Sequence, residues 1–347
     1  MPLEADSMAN KAERVMLIGG PGKISRGTVD YLRERGAEIA ICTRNSESKC
    51  KAHPDVTFYE APRGDGKALA TALEDFGARL VIDTICFDLE EAELLYNIVR
   101  DRIDHLIFVS TVDTYGYPLS RIPFRESDTF RPAIGSYAQK KRVIEEFYEE
   151  KHATEGFPVT IGRPSLSIAP SFCPMMFFDW GHQAVSRMKA GKPIMVPGDG
   201  NGLMHVGWAY DVGRMLGRMI GDRVSLGKGY TLSDENCLPR DEYIDLFAAE
   251  LAVEPQRVYI PQEYIESFLG VDQMQTIYHL YRVNMAFSLE RFKADFPDYE
   301  WLPLHDGVRE FIRENERGGT LPDPNVETIE DRIIAEWRRR LAGWGGP

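Results

Sequence analysis

Between Glu13 and Ile161 short apolar blocks alternate with amphipathic stretches of helical period, and this alternation leaves the chain few ways to fold. The strand-like blocks are Val15 to Ile18, Glu38 to Cys42, Val56 to Tyr59, Leu80 to Ile85, Leu106 to Ser110 and Val159 to Ile161. Helical patterns separate them at Gly27 to Arg35, Gly66 to Phe76, Glu90 to Arg102 and Ala138 to His152. Parallel strands joined by helices bury both sheet faces, so the predicted class is α/β with a doubly wound parallel sheet. After Gly162-Arg-Pro-Ser165 the alternation stops, and further helices are expected at Arg240 to Leu251 and Val326 to Trp344.

Three segments along this frame carry chemistry. The first, Val15-Met-Leu-Ile-Gly-Gly-Pro-Gly-Lys-Ile-Ser25, is an apolar run that ends in glycines and opens a helix. A helix amino terminus presents unpaired N–H groups and a positive dipole end, so Gly19, Gly22, Lys23 and Ile24 are expected to hold the pyrophosphate of a dinucleotide. The second, Leu106-Ile-Phe-Val-Ser-Thr-Val-Asp-Thr-Tyr-Gly116, is a buried strand pattern that ends in hydroxyl side chains. The third places Tyr137 and Lys141 four residues apart, which on a helix stacks phenol and ammonium on one face. A tyrosine is a poor base at neutral pH unless a fixed positive charge lowers its pKa, and a lysine one turn away supplies such a charge. Alone, that spacing more often marks a solvated helix face. With the two upstream segments it marks a site.

Taken together and in this order, the three segments resemble the extended short-chain dehydrogenase/reductase family, which includes NAD-dependent epimerases and dehydratases of nucleotide sugars. The resemblance covers roughly residues 13 to 230. It implies a Rossmann sheet with a smaller C-terminal substrate lobe. The division expected is a loose tail over 1–12, a dinucleotide-binding domain over 13–165, and a substrate lobe with C-terminal helices over 166–347, with segments around 192–216 returning to the first lobe. It further implies that Tyr137 exchanges the substrate's hydroxyl proton, that Lys141 lowers the phenol's pKa and bonds the nicotinamide ribose, and that Thr111 bonds the same substrate oxygen. Ser25 stands where the family has its third glycine. Family members place an acid on the adenosine ribose about 20 residues after the glycines, where this chain has Thr43 and Arg44. An arginine suits a 2′-phosphate, so NADP is the first cofactor choice and NAD the second. Asp65 is the candidate for the adenine, with an exposed turn aspartate as the equal alternative. Thr84 and Cys86 are expected beside the cofactor's sugars, and Pro164 and Ser165 near the nicotinamide.

Asp113 stands two residues past Thr111, close to where dehydratase members carry acidic groups, although Val112 occupies the adjacent position. If the extended geometry continues, Thr111 and Asp113 share a face and Asp113 can remove a C–H proton beside a transient ketone; otherwise it caps a local turn. The nucleotide-sugar pattern also weakens in the second half. Arg163 to Pro170 lacks the usual Asn, and Met204 followed by His205 stands where an Arg is usual. Asp179, His182, His205 and Cys173 lie near the expected cleft, but residues of these types are more often satisfied core or surface groups than catalysts. Trp180, Trp208, Phe177 and Phe178 admit a sugar-stacking wall or plain core.

With 41 basic and 54 acidic residues the net charge is −13 and the pI near 5.1, a surface that disfavours nucleic acid and anionic membranes. That weighs against a third reading, an RNA-associated protein of the kind some plastid relatives have become. No apolar run reaches the roughly 18 residues of a membrane span, and the amino terminus lacks a signal peptide's apolar core, so a cytoplasmic location is expected. The five cysteines contain no Cys-x-x-Cys pair, and neither a disulfide framework nor a metal site is expected. The leading reading is an NAD(P)-dependent sugar-modifying enzyme that oxidises a hydroxyl transiently and then epimerises or eliminates. The alternative is a simple NADP-dependent reductase or dehydrogenase. Expected partners are a small sugar or nucleotide sugar, with a homodimer left open.

Overall fold

The computed structural model describes residues 13–44, 51, 53–174, 181–269 and 283–343. The tail over 1–12, Cys50, Phe177, Phe178, Asp179, Trp180 and Trp344 lie outside the described residues.

The chain runs β1 (Arg14–Ile18), α1 (Ser25–Glu34), β2 (Glu38–Thr43), β3 (Thr57–Glu60), α2 (Gly66–Phe76), β4 (Leu80–Asp83), α3 (Leu89–Val99), β5 (His105–Val109), α4 (Ser136–Glu155) and β6 (Val159–Pro164). It continues through β7 (Leu166–Ile168), α5 (His182–Lys189), β8 (Ile194–Pro197), β9 (Leu203–Met204), β10 (Val206–Trp208), α6 (Ala209–Met219), β11 (Gly229–Leu232), β12 (Leu238–Pro239), α7 (Arg240–Leu251) and β13 (Arg257–Ile260). The remaining described helices are α8 (Gln262–Glu266), α9 (Glu290–Asp295), α10 (Leu304–Gly318) and α11 (Ile329–Gly343). The main sheet has seven strands in the order β11-β6-β5-β4-β1-β2-β3. β1 pairs in parallel with both β2 and β4, placing Leu17 beside Ile41 on one side and Ile82 on the other. Val15, Met16, Leu17 and Ile18 are all fully buried, as a central parallel strand covered on both faces requires. The doubly wound α/β sheet is therefore the observed fold.

Two compact units divide the chain. The first comprises 1–109, 143–162 and 213–228, and the second 110–142, 163–212 and 229–347. Residues 110–142 thus group with the second unit, and of the return expected around 192–216 only the part from Gly213 joins the first.

In the first unit, α6 packs on α1 through two glycines one turn apart. A Cβ on Gly213 would lie 2.0 Å from the Ile24 carbonyl oxygen, and one on Gly217 would lie 3.0 Å from Tyr31. Thr28 Oγ1 donates to the Gly213 carbonyl at 2.9 Å in the same seam. A buried ion pair ties the exit of β4 to the loop before α2: Arg63 Nη2 and Nε lie 2.8 and 3.0 Å from Asp83 Oδ2, while Asp83 Oδ1 accepts from the Ile85 N–H at 3.2 Å. That last bond turns the chain, which is why β4 ends at Asp83 and not at Ile85 as its apolar pattern suggests. His105 is locked nearby, its Nδ1 accepting from the Gly221 N–H at 3.0 Å and its Nε2 facing Thr160 Oγ1 at 2.8 Å.

The second unit holds three two-stranded pairings, β7 with β10, β9 with β12 and β8 with β13. Its core includes Tyr243, Phe247, Phe311 and Ile312, with Phe247 edge-on to Phe311 where α7 meets α10.

Candidate active site

In the first unit the strand-to-helix turn after β1 is built by glycine. Gly19 has φ of +90°, its N–H donates to the Cys42 carbonyl at 2.9 Å, and a Cβ there would lie 2.6 Å from Thr84 Oγ1. Only glycine lets the end of β4 approach this closely. Ser25, 3 % exposed, begins α1, and its Oγ accepts from the Gly22 N–H at 2.6 Å. The serine in the third glycine position therefore does more than fit: it closes the turn on itself and occupies one N–H that sequence reasoning assigned to a pyrophosphate. Ile24 precedes the first residue of α1, and Lys23 is exposed beside it, with partial desolvation lowering its ammonium pKa.

Arg44 follows β2 and is exposed, with no ion pair to it among the described residues. Asp65 caps α2, its Oδ1 accepting from the Ala68 N–H at 3.0 Å, which is the turn role left open above. Thr84 Oγ1 donates to the Ile18 carbonyl at 3.0 Å, and Cys86 is fully buried with Sγ 3.6 Å from the Asp88 carbonyl oxygen. Both side chains serve the turn that they sit in.

In the second unit, Thr111 leads into a short 3-10 turn over Val112–Tyr115, and its Oγ1 accepts from the Asp113 N–H at 3.3 Å. Extended geometry does not continue past Thr111, so the shared face expected for Thr111 and Asp113 does not arise from strand alternation. The 3-10 turn instead folds Asp113 back over Thr111. Tyr137 is the second residue of α4 and is 48 % exposed; Lys141, one turn on, is 2 % exposed with Nζ 6.0 Å from the Tyr137 ring centroid. The Thr111 hydroxyl lies near enough to the Tyr137 phenol to pull its pKa down. The structure thus brings Thr111, Asp113, Tyr137 and Lys141 together within one unit.

The Tyr137 phenol is pushed up to about 12, first by desolvation and then by the Asp113 carboxylate, while the Thr111 hydroxyl pulls the other way.

Pro164 ends β6, and the Ser165 hydroxyl pairs with Ser233 Oγ at 2.6 Å. His205 is a core residue: Nδ1 accepts from the Phe287 N–H at 3.1 Å and Nε2 donates to the Asp234 carbonyl at 2.8 Å, which fixes the neutral ring. His182 packs against the Phe311 ring, Cys173 Sγ lies 3.4 Å from the Tyr243 hydroxyl, and Trp208 Nε1 donates to Glu310. Met204 is 1 % exposed and lies in the core. Sequence reasoning missed Tyr117, whose hydroxyl donates to Asp113 Oδ1 at 3.2 Å; only a Gly-Tyr-Pro turn signature marks it in the chain.

The NAD dependent epimerase/dehydratase family matches the chain over residues 89–231. The match contains Thr111, Asp113, Tyr137, Lys141, Pro164 and Ser165, while the glycine turn, Arg44, Asp65, Thr84 and Cys86 precede it. A UDP-glucose 4-epimerase from Halalkalibacterium halodurans is 27 % identical over 151 residues, a match that spans 39 % of this chain and 45 % of that protein, less than half its length. Two solved structures share the fold over nearly the whole chain. The dTDP-glucose 4,6-dehydratase of Bacillus anthracis in complex with NAD is 18 % identical with a TM-score of 0.69, covering 90 % of this chain and 99 % of that one. The UDP-glucose 4-epimerase of Thermotoga maritima with UDP-glucose is 17 % identical with a TM-score of 0.66, covering 88 % and 99 %. Among the described residues no helix is long and apolar enough to cross a membrane, and no group of metal-ligating side chains gathers.

Proposed function

We propose that the protein is a nicotinamide-dinucleotide-dependent enzyme that transiently oxidises a sugar hydroxyl and then epimerises or eliminates at the neighbouring carbon. The observation that carries this reading is the grouping of Thr111, Asp113, Tyr137 and Lys141 in one unit, with Lys141 one helical turn from Tyr137 and its Nζ 6.0 Å from that ring. The close glycine approach at Gly19 and the helix start at Ser25 fit a dinucleotide pyrophosphate, with Lys23 beside it. Thr84, Cys86, Asp65, Pro164 and Ser165 would shape the remainder of the cofactor's surroundings. Exposed Arg44 suits a 2′-phosphate, so NADP is preferred to NAD. When bound, the dinucleotide supplies a hydride acceptor that can return the hydride. Tyr137 exchanges the hydroxyl proton, Thr111 orients the same oxygen, and Lys141 offers positive charge to the phenolate. A ketone acidifies the adjacent C–H, and in this reading Asp113 takes that proton.

A second reading, net reduction of a ketone, is favoured by the raised Tyr137 pKa, since a phenol that keeps its proton is an acid first. UDP-glucose and dTDP-glucose, named in the relatives, are the first substrates to try. Free sugars follow, because core-buried Met204 stands where nucleotide-sugar members carry an arginine. Incubation with each cofactor in deuterated water distinguishes the readings. Deuterium at a product carbon without net cofactor reduction is expected; stoichiometric cofactor conversion without deuterium establishes the reductase, and failure to bind either dinucleotide overturns both.

A further inference from the structure

Asp113 is held from two sides within the second unit. Its N–H donates to Thr111 Oγ1 at 3.3 Å, and its Oδ1 accepts from the Tyr117 hydroxyl at 3.2 Å. Tyr117 is 7 % exposed and follows Gly116, whose φ is +72° and where a Cβ would lie 2.5 Å from the Arg131 carbonyl oxygen. That backbone fixes where the Tyr117 ring begins. Other ionisable groups about the cluster include Tyr115, whose hydroxyl is 2.7 Å from Thr231 Oγ1, Glu126, which accepts from the Thr231 N–H at 2.8 Å, Arg163 over the Tyr115 ring, Arg142 over the Phe130 ring that packs on Tyr115, and Lys141 beside Tyr137.

We propose that Tyr117 is a positioning residue: its buried hydroxyl anchors the Asp113 carboxylate and thereby fixes where the negative charge of the turn after Thr111 sits. Burial, and then the charge of Asp113, hold the Tyr117 phenol well above its usual range, so its proton stays in place and the hydroxyl remains a donor. The same carboxylate raises Tyr137, so the proton affinity of the reacting phenol depends on a residue that has no need to touch substrate. Tyr117 sets the protonation state in which the site waits. This rests on the reading of Tyr137 as the proton-transfer group, but its test needs no substrate and no turnover.

The test places 3-fluorotyrosine at position 137 and follows its ionisation by fluorine NMR in the full chain. Asp113→Asn should lower the midpoint, because a neighbouring anion disfavours phenolate. Tyr117→Phe, which keeps the ring, should lower it by most of the same amount, and the double variant should go no lower than Asp113→Asn alone. An unchanged midpoint in Tyr117→Phe, or a further fall when it is added to Asp113→Asn, overturns the proposal. Should Tyr117→Phe fail to fold, 3-fluorotyrosine at position 117 reads the bond directly: its resonance must move on Asp113→Asn, and a stationary resonance is equally fatal. Loss of enzymatic activity in any of these proteins bears on the proposed reaction and leaves this test intact.

Discussion

Removing the Tyr137 hydroxyl deletes only the transferable proton, since the ring and the helix that carries it remain. Tyr137→Phe should therefore lower turnover by roughly 10²–10⁴-fold with the dinucleotide dissociation constant nearly unchanged. A variant that keeps more than about a tenth of the wild-type rate excludes general acid-base work by that phenol. Lys141→Ala should damage both rate and cofactor binding. Arg44 is a different kind of residue, exposed and with no ion pair to it among the described residues. A guanidinium pairs bidentately with a phosphate and gains little from a ribose hydroxyl, so Arg44→Ala should abolish the proposed preference for NADP over NAD. Calorimetric titration of both cofactors checks this, and equal dissociation constants in the unmodified protein sink the assignment.

Among elements, the turn after β4 shows how a buried charge pair can hold, at one remove, the backbone that meets the glycine turn. Arg63 and Asp83 are 6 % and 0 % exposed, and the carboxylate also takes the Ile85 N–H beside Gly19. Leaving Asp83 without its cation should cost about 3–5 kcal/mol, so Arg63→Ala should shift the urea unfolding midpoint strongly downward. A midpoint within error of wild type would mean that Asp83 finds another partner. Nothing in Arg63-Gly-Asp65 announces this pair, because a contact across twenty residues leaves no local period. What is periodic was legible: α2 and α7 run over the residues that the pattern predicts, and α1 and β6 differ only at their ends. The alternation also led from Tyr137 and Lys141 to one helix face. Hydrogen bonds to side chains were not legible. Asp65 as a helix cap, Ser25 on the Gly22 N–H and the 3-10 turn at Asp113 each depend on which group a short polar side chain reaches, and sequence spacing permits several answers.

At the scale of the whole molecule two histidines set the acid limit of stability. His105 and His205 are each lowered to about 4, chiefly by burial, against 6.5 in an open chain. In both, a backbone N–H points at Nδ1, which leaves no room for a second ring proton. Because the folded pKa lies below the unfolded one, their contribution is complete above pH 6.5 and is lost as pH falls toward 4. Each is worth on the order of 3 kcal/mol across that window. Urea midpoints measured from pH 7 to pH 4 should fall continuously, and a flat profile would show that both rings are charged in the folded state. The seam between α1 and α6 has a different consequence. Thr28 and its partner Gly213 stand 185 residues apart, so the first unit takes its chain in three instalments, the last ending at residue 228. During synthesis the glycine turn and its helix emerge long before the surface that covers them. A nascent chain cut at residue 165 should therefore remain protease-sensitive and aggregate, and the fold of the glycine turn should appear only after the ribosome has released α6.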